Sequence, residues 1–283
     1  MNQIDTLLDN VEILPAAPSL LAKLLPKLSD VDANYDEIVE TIMLDPGLTA
    51  KLLQVCNSAF FGQPEPIATV PDAVNRVGYQ SVYLLVSMIS GADAFPAQPP
   101  GGLDVGRLWA HSVTTAFSTK YIAESLNQDT NVLFTAGLLH DVGKIVLAQI
   151  RPGVFNDQFY KLTEDRQMLR EKEIFGCNHA EVGRALMDRW RLPAQLIDAV
   201  GAHHEPVSRS GVEPVAACLE LGNMFSHGQV DRRVLASPQF MDRLNALDVE
   251  PQAMPQWFKK LQSNQQLIDG MSRLKASGKP SLN

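Results

Sequence analysis

The sequence predicts an all-α protein, a two-lobed helical bundle. Apolar residues recur at helical spacing along nearly the whole chain. Alternating segments joined by Asn-Gly or Asp-Gly turns are missing, and one Pro/Gly-rich break falls about a third of the way along. With 283 residues, the chain can bury one large core or two smaller ones.

The N-terminal part reads as a run of short helices. Leu20, Leu21, Leu24, Leu25 and Leu28 share a helical face, as do Ile38, Ile42 and Met43, then Leu48, Leu52, Leu53 and Val55. Asp45-Pro46 reads as a helix start, with the carboxylate as cap and the proline in the first helical position. Pro71-Asp72 reads as another start and Gly78 as a stop, followed by an apolar helix over about 80–89. The segment from Phe95 to Gly102 holds three prolines and two glycines and cannot continue a helix. The expected organisation is an N-terminal helical lobe (1–95), a linker (96–102), a second helical lobe (103–230) and a C-terminal extension (231–283). Helices are expected over 104–126, 131–139, 154–173, 179–191, 194–204 and 215–227. One last amphipathic helix, over 255–275, is expected before a loose tail.

Composition excludes several classes. Hydrophobic residues make up 45%, as in globular proteins. The 24 Lys+Arg against 32 Asp+Glu leave a charge of −8, and Arg232-Arg233 and Lys259-Lys260 are isolated basic pairs, which argues against nucleic acid as the main partner. No run reaches the ~18 apolar residues of a membrane span; the best, Val82 to Ile89, is short and interrupted by Ser87. The N-terminal MNQIDTLLDN has no basic region followed by an apolar block, so a cytoplasmic protein without membrane partners is expected. Cys56, Cys177 and Cys218 are too far apart for a Cys-x-x-Cys site and read as buried thiols.

Five of the six histidines fall between residues 111 and 204: His111, His140, His179, His203 and His204. His140 adjoins Asp141 at the end of an apolar helix, in Leu139-His140-Asp141-Val142-Gly143-Lys144. Neighbours on a helix diverge by about 100°, so the two side chains can enter one cavity from different directions. Imidazole suits a transition metal, and a carboxylate can bind one ion or bridge two. The same groups could equally persist as a buried hydrogen-bonded network that orders a core.

Trp109-Ala110-His111-Ser112, the His140 to Lys144 motif, His179-Ala180-Glu181-Val182-Gly183 and His203-His204 together resemble the HD superfamily of metal-dependent phosphohydrolases. Leu14-Pro15-Ala16-Ala17-Pro18, Asp45 to Leu48 through Asn57-Ser58-Ala59, Ala73 to Gly78 and Trp190-Arg191-Leu192-Pro193 narrow the resemblance. They resemble the HDOD domain, the HD-related output domain of bacterial signalling proteins, over roughly 11–206. The resemblance implies an all-α N-terminal lobe packed on an HD-like lobe. It implies His111, His140 and Asp141 as ligands of a first ion, with His179, His203 and His204 serving a second. Lys144 would hold a phosphate, and the ion would be Fe, Mn or Zn. Where the family places a late Asp ligand this chain has Asn223, with Glu220 nearby, and Arg107 stands one turn before His111 where trinuclear members carry a carboxylate. Two divalent ions would thus meet a single carboxylate among these ligands, Asp141. The Gly-Tyr-Pro loop of cyclic-di-GMP phosphodiesterases does not follow His203-His204-Glu205, and neither a phosphate loop nor a Gly-x-Ser-x-Gly elbow occurs. The resemblance implies a stand-alone signal-transduction module that acts through protein or ligand binding, a nucleotide among the candidates. The alternative is a metal-dependent phosphohydrolase of a nucleotide or other phosphoester.

Overall fold

Capping residues and glycines set where each helix begins and how closely it packs. The computed structural model describes residues 3–11, 18–28, 35–58, 60–62, 65–96, 100–205, 214–230 and 232–275. Leu14 to Ala17, Ala59, Ala97 to Pro99 and the expected tail, 276–283, lie outside them. Among the described residues every regular element is helical and no strand occurs.

The first part comprises α1 (Gln3–Asp9), α2 (Ser19–Leu28), α3 (Tyr35–Met43), α4 (Pro46–Cys56), α5 (Val70–Val77) and α6 (Tyr79–Ala92). Asp45 caps α4, its carboxylate accepting from the Leu48 amide at 3.0 Å. The start of α5 lies just before Pro71, because Thr69 is the cap and accepts from the Asp72 amide at 3.2 Å. Gly78, at φ 88°, ends α5 and lets α6 start at once. Helix α6 outruns the 80–89 expectation and is buried continuously from Val82 to Ala92. Helices α2, α4 and α5 pack against it. Asn57 ties the end of α4 to the next segment, donating to Ile67 O and accepting from Ile67 N at 2.8 and 2.7 Å.

The remaining helices are α7 (Val105–Ser125), α8 (Thr130–Leu139), α9 (Gly143–Ile150), α10 (Glu164–Phe175), α11 (His179–Arg189), α12 (Ala194–Ala202), α13 (Pro214–Val230), α14 (Pro238–Ala246), α15 (Met254–Ser263) and α16 (Gln265–Ser272). Helix α7 is the hub, packing on α8, α13, α15 and α16, while α8 also packs on α6. A β-carbon added at Gly137 would lie 2.5 Å from Ala116 Cα, so α8 can approach α7 this closely only through glycine. Trp109 is fully buried; its indole donates to Met271 O at 2.9 Å and its ring meets Phe95 at 4.9 Å.

Several elements differ from expectation. Residues 154–163 are not part of a long helix. The Asn156 side-chain oxygen Oδ1 accepts from the Gln158 and Phe159 amides at 2.9 and 3.1 Å, a turn that competes with helix, and α10 starts only at Glu164. Helix α14 starts where Ser237 caps it, its hydroxyl accepting from Phe240 N at 3.2 Å. The final amphipathic stretch is two helices, parted at Asn264, whose side-chain Nδ2 donates to Lys260 O at 3.0 Å. One stretch overlooked in the sequence, Thr130–Ile150, is long and apolar enough to cross a membrane, but 89% of its apolar window is buried inside the protein.

Candidate metal centre

The six predicted ligands come from the second turn of α7 and from three helix ends. His140 caps the C-terminus of α8 with Asp141 next to it, and Lys144 lies in the first turn of α9. His179 opens α11, where Asn178 and Glu181 form a reciprocal capping box at 2.9 and 2.8 Å. His203 caps the C-terminus of α12, and His204 follows. A β-carbon added at Gly143 would fall 2.0 Å from the His179 carbonyl oxygen, so glycine is what lets α9 and α11 bring Asp141 and His179 together.

His140 and His203 use the same device. Each turns Nδ1 back onto the carbonyl three residues earlier, Gly137 O at 2.9 Å and Val200 O at 2.6 Å. A carbonyl can only accept, so Nδ1 carries the proton in both rings and Nε2 keeps its lone pair. Burial lowers both rings' pKa, keeping them neutral. Burial does the same for His111 and His204, followed in each by a neighbouring histidine.

Asp141 lies at the centre. Oδ1 is 3.1 Å from His179 Nε2; Oδ2 is 2.8 Å from Lys144 Nζ, 3.4 Å from His140 Nε2 and 3.9 Å from His111 Nε2. Burial alone would raise its pKa, but His140, Lys144 and His179 outweigh it and hold the carboxyl well below the usual range. Lys144 is buried as well, and Asp141 and Glu171 keep its ammonium charged.

The donor set fits a cation. His140 Nε2 and His203 Nε2 are buried without a hydrogen-bond partner, and Asp141 Oδ1 is buried with only the His179 ring nearby, at 3.1 Å. Leaving such a group unpaired costs about 1–3 kcal/mol. The ligand atoms of His111, His140 and Asp141 lie within 4.8 Å of one another, as do those of His179, His203 and His204. Asp141 Oδ1 and His179 Nε2 join the two groups. Nitrogen and carboxylate donors of this kind suit Fe, Mn or Zn.

Other predicted neighbours divide. Arg107 does not enter the cluster; its guanidinium stacks 4.7 Å over the Tyr160 ring on the wall of the adjoining cavity. Glu220 turns to a buried ion pair with Arg243. Asn223 donates to Glu164 Oε1 at 2.6 Å, and its own Oδ1 is buried without a partner.

Three site residues escaped the sequence reading. Glu171 accepts from both His179 Nδ1 and the His179 amide at 2.8 and 2.7 Å. Burial disfavours the charged ring, but Glu171 and Asp141 outweigh it and lift His179 to about 8. Its signal was a carboxylate on the inward stripe of α10, four residues before buried Phe175. Glu164 lies 3.8 Å from the Nε2 of both His204 and His227. His227 stacks on His111, with ring centroids 4.4 Å apart.

A family model of the HDOD domain matches residues 14–206. The chain belongs to the HDOD family. An uncharacterized protein of Treponema pallidum is 24% identical to this HDOD protein over 278 residues, 95% of this chain and 50% of the relative. The chain therefore spans about half the length of that relative. It covers 21% of the ribonuclease Y of Deinococcus radiodurans, to which it is 28% identical over 145 residues, 51% of its own length. The HDOD domain protein of Geobacter sulfurreducens superposes with a TM-score of 0.73 at 24% identity, covering 96% of this chain and 97% of that one. A candidate phosphohydrolase of Shewanella amazonensis gives 0.69 at 23% identity, covering 94% and 97%. These likenesses establish the fold of this HDOD protein.

Proposed function

We propose that this HDOD protein is a signal-transduction module that binds a divalent Fe, Mn or Zn ion and acts by engaging a phosphorylated small ligand or a signalling protein, without turnover. The observation that carries the metal is the pair of unpartnered imidazole nitrogens, His140 Nε2 and His203 Nε2, beside the buried carboxylate of Asp141. His111, His140 and Asp141 would hold one ion, and His179, His203 and His204 the other position. An ion there supplies Lewis acidity toward a phosphoryl oxygen. Turnover is disfavoured because Lys144 occupies Asp141 Oδ2 at 2.8 Å and because position 223 offers a neutral amide.

A second reading, a metal-dependent phosphohydrolase, draws on the cavity. About 1510 Å³ in volume, it reaches His111, Asp141, Lys144 and His204, and Arg107 and Lys161 line its wall. Lys144 and Arg107 would then hold the phosphate, and a nucleotide would fit the volume.

The test is elemental analysis of protein purified without chelators, wild type beside the His140→Ala/Asp141→Ala double variant. A Mn²⁺ assay with bis-p-nitrophenyl phosphate accompanies it. Stoichiometric metal lost in the variant, with no hydrolysis, is the expected result. Hydrolysis lost in Asp141→Ala would replace the binding module by the enzyme. Metal-free wild type would remove both.

A further inference from the structure

Glu164 is the first residue of α10, 30% exposed on the wall of the cavity. Its Oε1 accepts from Asn223 Nδ2 at 2.6 Å and lies 3.8 Å from His204 Nε2 and 3.8 Å from His227 Nε2. A carboxylate only accepts, so the Asn223 amide must turn its nitrogen toward Glu164. That leaves Asn223 Oδ1 buried with no donor. Asn223 therefore spends its donor on holding Glu164 and keeps an unsatisfied oxygen, although a rotated amide facing a surface carboxylate would be repelled.

The placement parallels Asp141. Asp141 links the two three-residue groups from the buried side, through His179 on one oxygen and His140 and His111 on the other. Glu164 stands on the cavity side, 3.8 Å from one member of the first group and 3.8 Å from a histidine that packs on the second. His204 belongs to one, and His227 stacks on His111 of the other. Charge points the same way. With His179 neutral, as a metal ligand must be, Asp141, Glu171 and Glu164 carry three negative charges against one positive on Lys144, leaving two that one divalent ion balances.

We infer that Glu164, held by Asn223, is a carboxylate ligand of the metal centre and supplies from α10 the second anionic oxygen that the histidine cluster lacks. The inference rests on the metal-binding reading above. His204 is the imidazole it shares the ion with, and His227 flanks it from α13.

The experiment is Mn²⁺ titration by calorimetry, with metal counted by elemental analysis, on wild type, Glu164→Gln, Asp141→Asn and the Glu164→Gln/Asn223→Asp double variant. Thermal melts of the metal-free proteins establish that each is folded. Glu164→Gln is expected to weaken Mn²⁺ binding at least tenfold. The double variant, which moves the carboxylate 2.6 Å across the same contact, is expected to regain affinity to within about threefold of wild type. Unchanged affinity in Glu164→Gln, with binding lost in Asp141→Asn, would overturn the role of Glu164 and leave the metal centre standing. A loss in Glu164→Gln that the double variant fails to restore would reduce Glu164 to a structural residue and also overturn the inference. No Mn²⁺ binding by wild type would overturn the metal centre and Glu164 together.

Discussion

His179 and Glu171 form a buried pair in which one carboxylate oxygen accepts twice, from ring Nδ1 at 2.8 Å and from the backbone amide at 2.7 Å. The two bonds orient the ring and leave Nε2 facing Asp141 and His204, each 3.1 Å away. A carboxylate behind a ligating histidine fixes its tautomer and raises its basicity. Glu171→Gln is therefore expected to weaken Mn²⁺ binding 10–100-fold. The metal-free protein should lose about 1–3 kcal/mol, because the buried contacts are no longer charge-assisted. Calorimetric titration and urea unfolding check both, and unaltered values would reduce the pair to packing.

The pH dependence of the metal-free protein follows from opposed shifts. His179 sits at about 8 against an ordinary 6.5, so its contribution is complete below 6.5 and lost as pH rises through 8. His111, His140, His203 and His204 are lowered. Below 6.5 the unfolded chain takes up protons on these four that the folded chain refuses, and stability falls at up to about 1.4 kcal/mol per pH unit for each. Burial raises the Glu220 carboxyl to about 8 against the pull of Arg243; this adds to the loss toward pH 8, and the four histidines outweigh it on the acid side. A maximum in melting temperature near pH 6.5 is expected in chelator-treated protein. A curve that keeps rising from pH 6.5 to 8.5 would contradict the protonated His179.

His203 separates ion binding from folding. Its Nε2 is buried and unpartnered, while Nδ1 donates to Val200 O. In His203→Leu the lost bond is offset by removal of the orphaned nitrogen, so the metal-free variant should stay within about 1 kcal/mol of wild type. Wild type should gain about 2.7 kcal/mol from Mn²⁺ at a hundred times its Kd, and the variant should gain almost none. Melts with and without Mn²⁺ make the comparison. A variant strongly destabilised without metal would identify His203 as a core residue first.

Where helices were legible, their caps and apolar faces are local: Asp45 and Gly78 act within four residues of themselves, whereas α9 and α14 were not expected. The histidine cluster was legible because, apart from His111 inside α7, its motif residues sit at helix ends or near glycines that the packing requires. Glu164, Glu171 and His227 were not. Each acts through a partner on another helix or across a turn, and in sequence α10 reads as a charged surface helix. The 154–163 segment failed for a related reason, since Asn156 captures two amides that a helical pattern assigns to the backbone ladder.

Gly143 tests whether helix spacing, rather than ligand identity, sets the centre. With 2.0 Å between an added β-carbon and the His179 carbonyl oxygen, and 2.9 Å to Gly183 N, Gly143→Ala must push α9 away from the backbone of α11. Backbone has no rotamer to yield, so the displacement falls on the whole helix. Asp141 precedes α9 and His179 opens α11, so it widens the 3.1 Å approach that joins the two ligand groups. Overpacking of this kind costs about 1–3 kcal/mol, and more where backbone must move. Gly143→Ala should therefore lose stability and bound metal together, although every ligand is retained. Gly153→Ala, at φ 84° with open space around its β-carbon, should lose stability through backbone strain alone and keep its metal. Equal metal content in the two variants would show that the centre tolerates a shift of α9.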